Sequence, residues 1–250
     1  MKPRYIELDL LRGFAIIGMI IIHTFVILDV FEIYVQDFHN PYLRIPTETV
    51  RFIFLFVVGV SMTISFQHAK SKNQLKLFYY KQFKRASYFV GLAILISLIT
   101  YYILPSKFIA FGILHLIGTS ILLTVFLCGK RKLLIVVLLI TYVLSYSIKE
   151  IDYNNVLGYI LGFRNQIHSS IDYFPILRWI WIIILGILAG DLLFVESIPR
   201  YKLNIPENIV IKAITFIGRN TLIIYILHTP IIVMILMILG FIELRSVIHF

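Results

Sequence analysis

Arg12 and His23 stand eleven residues apart in LLRGFAIIGMIIIHTFVIL, a stretch from Leu10 to Leu28 whose other residues are almost all apolar. Eleven helical steps of about 100° return the two side chains to nearly one face, about 16 Å apart along the axis. An ionisable line then runs from one membrane surface toward the middle of a bilayer. Such groups are costly in hydrocarbon and mark a site that faces a bundle interior or a wet cavity. A polar staple between helices is the other use for His23, and snorkelling to the surface the other use for Arg12.

Imidazole is the side chain best suited to proton transfer near neutral pH, so the other histidines need sorting. His228 lies on a stripe with Thr221 and Tyr225, at helical spacing, and Pro230 just beyond it loosens the local hydrogen-bond ladder. It serves either a site or an interhelical hydrogen bond worth about 1 kcal/mol. His115, with Thr119 one turn on, has the same two readings. His39 differs in kind, because it sits in a loop stretch (DVFEIYVQDFHNPYLRIPTETV) with Asp37 and Glu48, and a carboxylate beside a histidine fixes its tautomer and stabilises the imidazolium. His168 falls in a second loop, and His68 and His249 border charged or terminal segments. Lys81, Lys84 and Arg85, with Arg12 and Arg219, form a girdle at span ends that suits phosphates, although orientation in a membrane demands much of the same charge. No nucleotide-binding glycine loop, dinucleotide fingerprint or paired-cysteine metal spacing is present.

These side chains need membrane helices to hold them. The 250 residues are 60% hydrophobic and 14% charged, with a mean hydropathy of +0.92, which excludes an ordinary soluble domain. The formal charge of +10 lies in short stretches between apolar segments, so orientation and an anionic ligand or lipid account for it better than nucleic acid does. Apolar stretches predict an all-α bundle of about seven transmembrane helices at 9–30, 49–68, 86–104, 108–128, 132–148, 175–195 and 220–242. With the N-terminus cytoplasmic and the C-terminus outside, sixteen of the 23 Lys and Arg fall on the inner side, as the positive-inside rule requires. The third and fourth spans, joined around Pro105 and Lys107, should form a tight hairpin. The stretch from Ile151 to Phe174 reads as an interfacial lid or re-entrant turn, and Asn204 to Gly218, with Pro206 near its start, as a short amphipathic surface helix. Cys128 is the sole cysteine and has no internal partner. Residues 1–250 read as a single membrane domain with no cleavable signal.

The blocks ELDLLRGFAIIGMIIIH, FIFLFVVGVS, FGILHLIG, DYFPILRWIWIIILGILAGD and FIGRNTLIIYILHTP, in this order, resemble the catalytic domain of the heparan-alpha-glucosaminide N-acetyltransferase family, part of a wider group of transmembrane acyltransferases. Arg12 and His23 also reproduce the arginine–histidine spacing of sugar-modifying membrane acyltransferases. The resemblance implies an enzyme that takes acetyl from cytosolic acetyl-CoA and gives it to an acceptor on the opposite face, a terminal glucosamine amine in the lysosomal members. It implies a catalytic histidine in the first non-cytosolic loop, which counting back from Gly59 places at His39, with Glu48 near an acidic position and Asn220 and His228 at polar positions of the last span. The lysosomal enzymes carry asparagine at the position of His23 and a large luminal domain that this chain lacks. A homodimer is the oligomer the family suggests.

Together these readings give the expected mechanism. Arg12, Lys84, Arg85 and Arg219 hold the CoA phosphates, and the pantetheine arm enters between the first, second and last spans. His39 is general base or transient acetyl carrier, oriented by Glu48 or Asp37. His23 and Asn220 polarise the thioester carbonyl or fix the cofactor, His228 lies with them, and no metal takes part. The acceptor is an amino sugar or a sugar hydroxyl, and the compact chain suits a prokaryotic cytoplasmic membrane. A small-molecule transporter or lipid-binding membrane protein is the competing class, in which the same polar residues line a path.

Overall fold

The computed structural model describes residues 5–35, 37, 40–148, 151–164, 170–201, 204–206 and 208–241. In chain order they form α1 (Ile6–Val30), α2 (Pro41–Ser71), α3 (Leu75–Ile103), α4 (Ile113–Thr124, continued by a 3-10 turn Val125–Leu127), α5 (Arg131–Ser147), α6 (Val156–Leu161) and α7 (Ile176–Leu193). A two-stranded hairpin β1 (Phe194–Val195) and β2 (Ile198–Pro199), α8 (Ile209–Arg219) and α9 (Thr221–Ile238) follow. Among the described residues five helices, α1, α2, α3, α7 and α9, are long and apolar enough to cross a membrane. The chain is an all-α membrane protein. The stretch expected as a span at 108–128 is a shorter helix, because α4 begins only after Gly112 and its last turn tightens before Gly129, which has φ +79°, and the stretch expected at 132–148 is α5, with 17 residues.

Two other helices are longer than the apolar pattern alone gives. Asn40 and Pro41 start α2 eight residues before the expected span: the Asn40 side chain accepts from the backbone N–H of Tyr42 at 3.1 Å, and Pro41 occupies the first helical position, where a missing N–H costs nothing. Glu48 therefore sits on a helix and not in a loop. The basic segment LKLFYYKQFKR joins α3, because Phe78, Gln82 and Ala86 recur every four residues on one buried face.

The chain divides into two compact units, Met1–Val57 with Lys202–His249, and Val58–Tyr201. In the first unit α1 packs on α8 and α9. The crossing of α1 and α8 is built on glycine: a Cβ at Gly13 would meet the backbone of Ile214, and one at Gly218 would meet the carbonyl of Asp9 and lie 2.9 Å from Gly13 N. The amphipathic helix expected near 204–218 is thus α8, capped by the Asn208 side chain accepting from Ile211 N at 2.8 Å, with Thr215 and Gly218 buried and Ile209, Val210 and Phe216 exposed. Further along, Ile27 of α1 packs with Ile232 and Leu236 of α9.

In the second unit α7 is the central element, with Ile183, Ile184 and Ile187 wholly buried. The second half of α2 lies close against it, since a Cβ at Gly59 would come within 2.7 Å of Ile187 N, and Thr63 Oγ1 donates to Ile187 O at 2.7 Å. The α3–α4 hairpin forms as expected, with Gly118 against Val90 and the connection fastened by Thr100 Oγ1, which accepts from Ile109 N at 3.1 Å. Of the stretch expected as a lid or re-entrant turn, the described residues are folded: Asn155 caps α6 at 2.7 Å, Phe174 N donates to Phe111 O at 2.9 Å, and Tyr173 Oη donates to Tyr159 O at 2.6 Å. The hairpin after α7 has Glu196 and Ser197 in left-handed conformations and is fastened by Gln67, whose amide donates to Phe194 O at 2.9 Å and accepts from Ser197 N at 3.0 Å.

Candidate active site

The site residues that can be joined by geometry lie in the first unit, on α1, the first half of α2, α8 and α9. Near the start of α1, Arg12 donates to Asp9 Oδ1 at 2.9 Å, and from the end of α8 Arg219 donates to Asp9 Oδ2 at 3.2 Å. The Gly13–Gly218 crossing makes this possible, because Arg219 follows directly on the glycine that seats α8 against Asp9. The carboxylate is 10% exposed and Arg219 46%, so two guanidinium groups share one buried anion and Arg219 reaches the surface of the crossing. The sequence reading does not single out Asp9. Its signal is its place three residues before Arg12, where one helical turn puts a carboxylate beside a guanidinium.

Three turns of helix further along α1, His23 meets His228 of α9. Nδ1 of His23 lies 2.7 Å from Nε2 of His228, with the rings stacked at a centroid distance of 4.8 Å. On the far side, Nδ1 of His228 lies 2.5 Å from the carbonyl oxygen of Tyr225, and Thr229 Oγ1 lies 3.0 Å from Nε2 of His228. Tyr225 contributes its carbonyl to the ring nitrogen, besides sharing the face with His228. His228 is 7% exposed, and no described residue hydrogen-bonds Nε2 of His23.

On α2, Glu48 and Arg51 form an i, i+3 pair at 3.2 Å. Glu48, expected to orient His39, thus has a helical partner in Arg51, a residue the sequence reading does not single out. Asp37 is exposed, its carbonyl accepting from Asn40 N at 3.0 Å. His39 lies outside the described residues, as does His168. Asn220 is the joint between α8 and α9: its side-chain amide donates to Phe216 O at 2.9 Å and its backbone N–H to Ile217 O at 3.1 Å. Lys84 is exposed on α3 in the second unit, and the Arg85 guanidinium lies 5.5 Å from the centroid of Phe89. His115 has a structural position, its Nδ1 accepting from Gly112 N at 3.3 Å while the Asp172 carboxylate accepts from Ile113 N at 3.1 Å, so the two side chains cap α4. Among the described residues no three His, Cys, Asp or Glu side chains group in a way that could hold a metal ion.

The geometry offers a buried cation–carboxylate cluster at one end of α1 and a coupled pair of imidazoles farther along it. The first suits an anionic ligand, and the second suits proton transfer in a place where water is scarce. No curated protein and no solved structure shows a significant match to this chain. Residues 4–230, a stretch that includes Asp9, Arg12, His23, Arg219, Tyr225 and His228, match the family defined by the catalytic region of heparan-alpha-glucosaminide N-acetyltransferase, and the chain belongs to that family.

Proposed function

We propose that this membrane acetyltransferase takes acetyl from cytosolic acetyl-CoA and passes it to the amine of an amino sugar, or to a sugar hydroxyl, on the extracytoplasmic side. The observation that carries the reading is the His23–His228 pair, two imidazoles 2.7 Å apart between two predominantly apolar helices. Structural packing rarely places two ionisable rings together at such depth, whereas acyl transfer to an amine needs a nitrogen base shielded from water. Arg12 and Arg219, gathered on Asp9, bind the CoA phosphates. The assignment of Lys84 and Arg85 to the same ligand rests on the charge pattern of the sequence. From the outer loop His39, with Asp37 and Glu48 as its nearest acids in sequence, completes the set of histidines that serve the transfer, and Asn220 holds the thioester end of the donor beside His23.

The whole chain acts as one acyltransferase domain of about seven spans, N-terminus in the cytoplasm and C-terminus outside, in a prokaryotic plasma membrane. The competing reading, a small-molecule transporter or a lipid-binding membrane protein, has no acyl donor to bind and predicts no effect of CoA. A thermal-shift measurement on detergent-solubilised protein separates the two. A ligand bound only by the native state at about 100 times its Kd stabilises it by about 2.7 kcal/mol, so acetyl-CoA should raise the melting temperature by several degrees in wild type and much less in Arg219→Ala. No shift with acetyl-CoA or CoA would refute the acetyl-transfer reading.

A further inference from the structure

The sequence leads to the expectation that His39 is the general base and that His23 polarises the thioester carbonyl or fixes the cofactor, and polarising requires a ring N–H to donate. The hydrogen-bond chain makes that N–H unavailable. The Tyr225 carbonyl can only accept, so Nδ1 of His228, 2.5 Å away, carries a proton. In a neutral ring this leaves Nε2 of His228 as a bare acceptor, and two donors converge on it: Thr229 Oγ1 at 3.0 Å and Nδ1 of His23 at 2.7 Å. With Nδ1 of His23 protonated and donating, the one remaining nitrogen, Nε2 of His23, is unprotonated and has no hydrogen bond from any described residue.

We propose that His228 is a positioning residue: it acts through His23, holding that ring as the Nδ1–H tautomer so that Nε2 of His23 is the base that takes a proton from the attacking acceptor. The inference rests on the acetyl-transfer reading above. The step balances as follows. The acceptor amine attacks the thioester carbonyl carbon, the C–N bond forms and the C–S bond breaks, and the leaving electron pair resides on the CoA thiolate. The proton shed by the amine moves to Nε2 of His23, and the resulting imidazolium, still donating through Nδ1 to His228, returns a proton to the thiolate to give free CoA. The backbone carbonyl of Tyr225 fixes the register of the chain, because it cannot be protonated and cannot rotate away while α9 is helical.

The experiment uses full-length protein labelled with 15N in its histidine rings. Wild type and His228→Ala are compared by the ring nitrogen resonances of His23, assigned by their loss in His23→Ala, and by steady-state acetyl transfer from acetyl-CoA to glucosamine. His228→Gln supplies an amide oxygen near the place of Nε2 and tests rescue. The expected result is a protonated Nδ1 and bare Nε2 on His23 in wild type, lost in His228→Ala, together with a kcat lowered about 10- to 100-fold, within the range general base catalysis supplies, an acetyl-CoA KM within twofold, and partial recovery in His228→Gln. A proton on Nε2 of His23 in wild type, or an unchanged His23 tautomer in His228→Ala, overturns the proposal. The expected tautomer in a wild type that transfers no acetyl to any amino sugar or sugar hydroxyl overturns the base role and the function, and supports the tautomer assignment alone.

Discussion

The α1–α8 crossing should be far less tolerant of one added methyl group than an exposed helix of the same protein. In Gly218→Ala the new Cβ would overlap the carbonyl oxygen of Asp9 and lie 2.8 Å from Asp9 C and 2.9 Å from Gly13 N, all rigid backbone. Ordinary contact requires the helices to part by about 1 Å or more, and overpacking of this kind costs about 1–3 kcal/mol. Parting also stretches the Arg219–Asp9 pair, now 3.2 Å, at a cost of about 0.5–1 kcal/mol, discounted because Arg219 is half exposed. The better helix propensity of alanine returns about 1 kcal/mol, leaving a net loss of about 0.5–3 kcal/mol. At Gly91, on α3, an added methyl group would have nothing within 4 Å of it, so Gly91→Ala keeps the propensity gain of about 0.5–1 kcal/mol. The two variants should differ by roughly 1–4 kcal/mol, or about 2–16 °C in melting temperature for a chain of this size. Scanning fluorimetry at one scan rate in one detergent reads this directly. Equal melting temperatures would show that α8 does not seat on α1 through Gly218, and the Asp9 cluster would lose its structural support.

Other consequences can be checked one at a time. Asp9→Asn should destabilise the protein by about 1–3 kcal/mol, because charge-assisted bonds to two guanidinium groups become neutral ones, whereas Arg219→Ala should cost less than half of that in the same melting assay. Asp172→Asn should lower stability by about 0.5–1 kcal/mol through loss of an anion at the start of α4, seen as a reduced melting temperature with unchanged acetyl-CoA binding. Burial, with the neighbouring Tyr159 adding to it, pushes the Tyr173 hydroxyl up to about 12. The folded state then keeps a proton that the unfolded chain releases near pH 10, so stability falls as pH rises from about 10 to 12, and Tyr173→Phe should flatten that part of a stability-versus-pH curve.

The helices are legible in the sequence wherever hydrocarbon alone decides them. Helix α1, the α3–α4 hairpin, the amphipathic α8 and the helical phase of Arg12 and His23 all follow from periodicity and length. Boundaries set by local polar chemistry are less legible: α2 begins at an Asn–Pro start signal hidden in a stretch that reads as loop, and α3 begins with a basic segment whose buried residues, Phe78, Gln82 and Ala86, return only every fourth position. Partners are least legible of all. His23 and His228 are 205 residues apart in sequence and Arg219 and Asp9 are 210 apart, and nothing in either local segment specifies the other. Both histidines stand out because each is out of place in an apolar helix, whereas Asp9 and Arg51 do not, because an acid or a base near a helix end is ordinary. His115 shows the reverse error open to such reasoning, since a histidine in an apolar block proves to cap a helix.

The most direct test of the account is acetyl transfer by purified protein in sealed proteoliposomes, with labelled acetyl-CoA on one side and glucosamine on the other. The account predicts labelled N-acetylglucosamine on the side away from the donor, with transfer lost in His23→Ala and in His39→Ala variants that still bind acetyl-CoA. Binding of acetyl-CoA without transfer to any amino sugar or sugar hydroxyl would contradict the acceptor assignment, and undiminished transfer in His23→Ala would contradict the site.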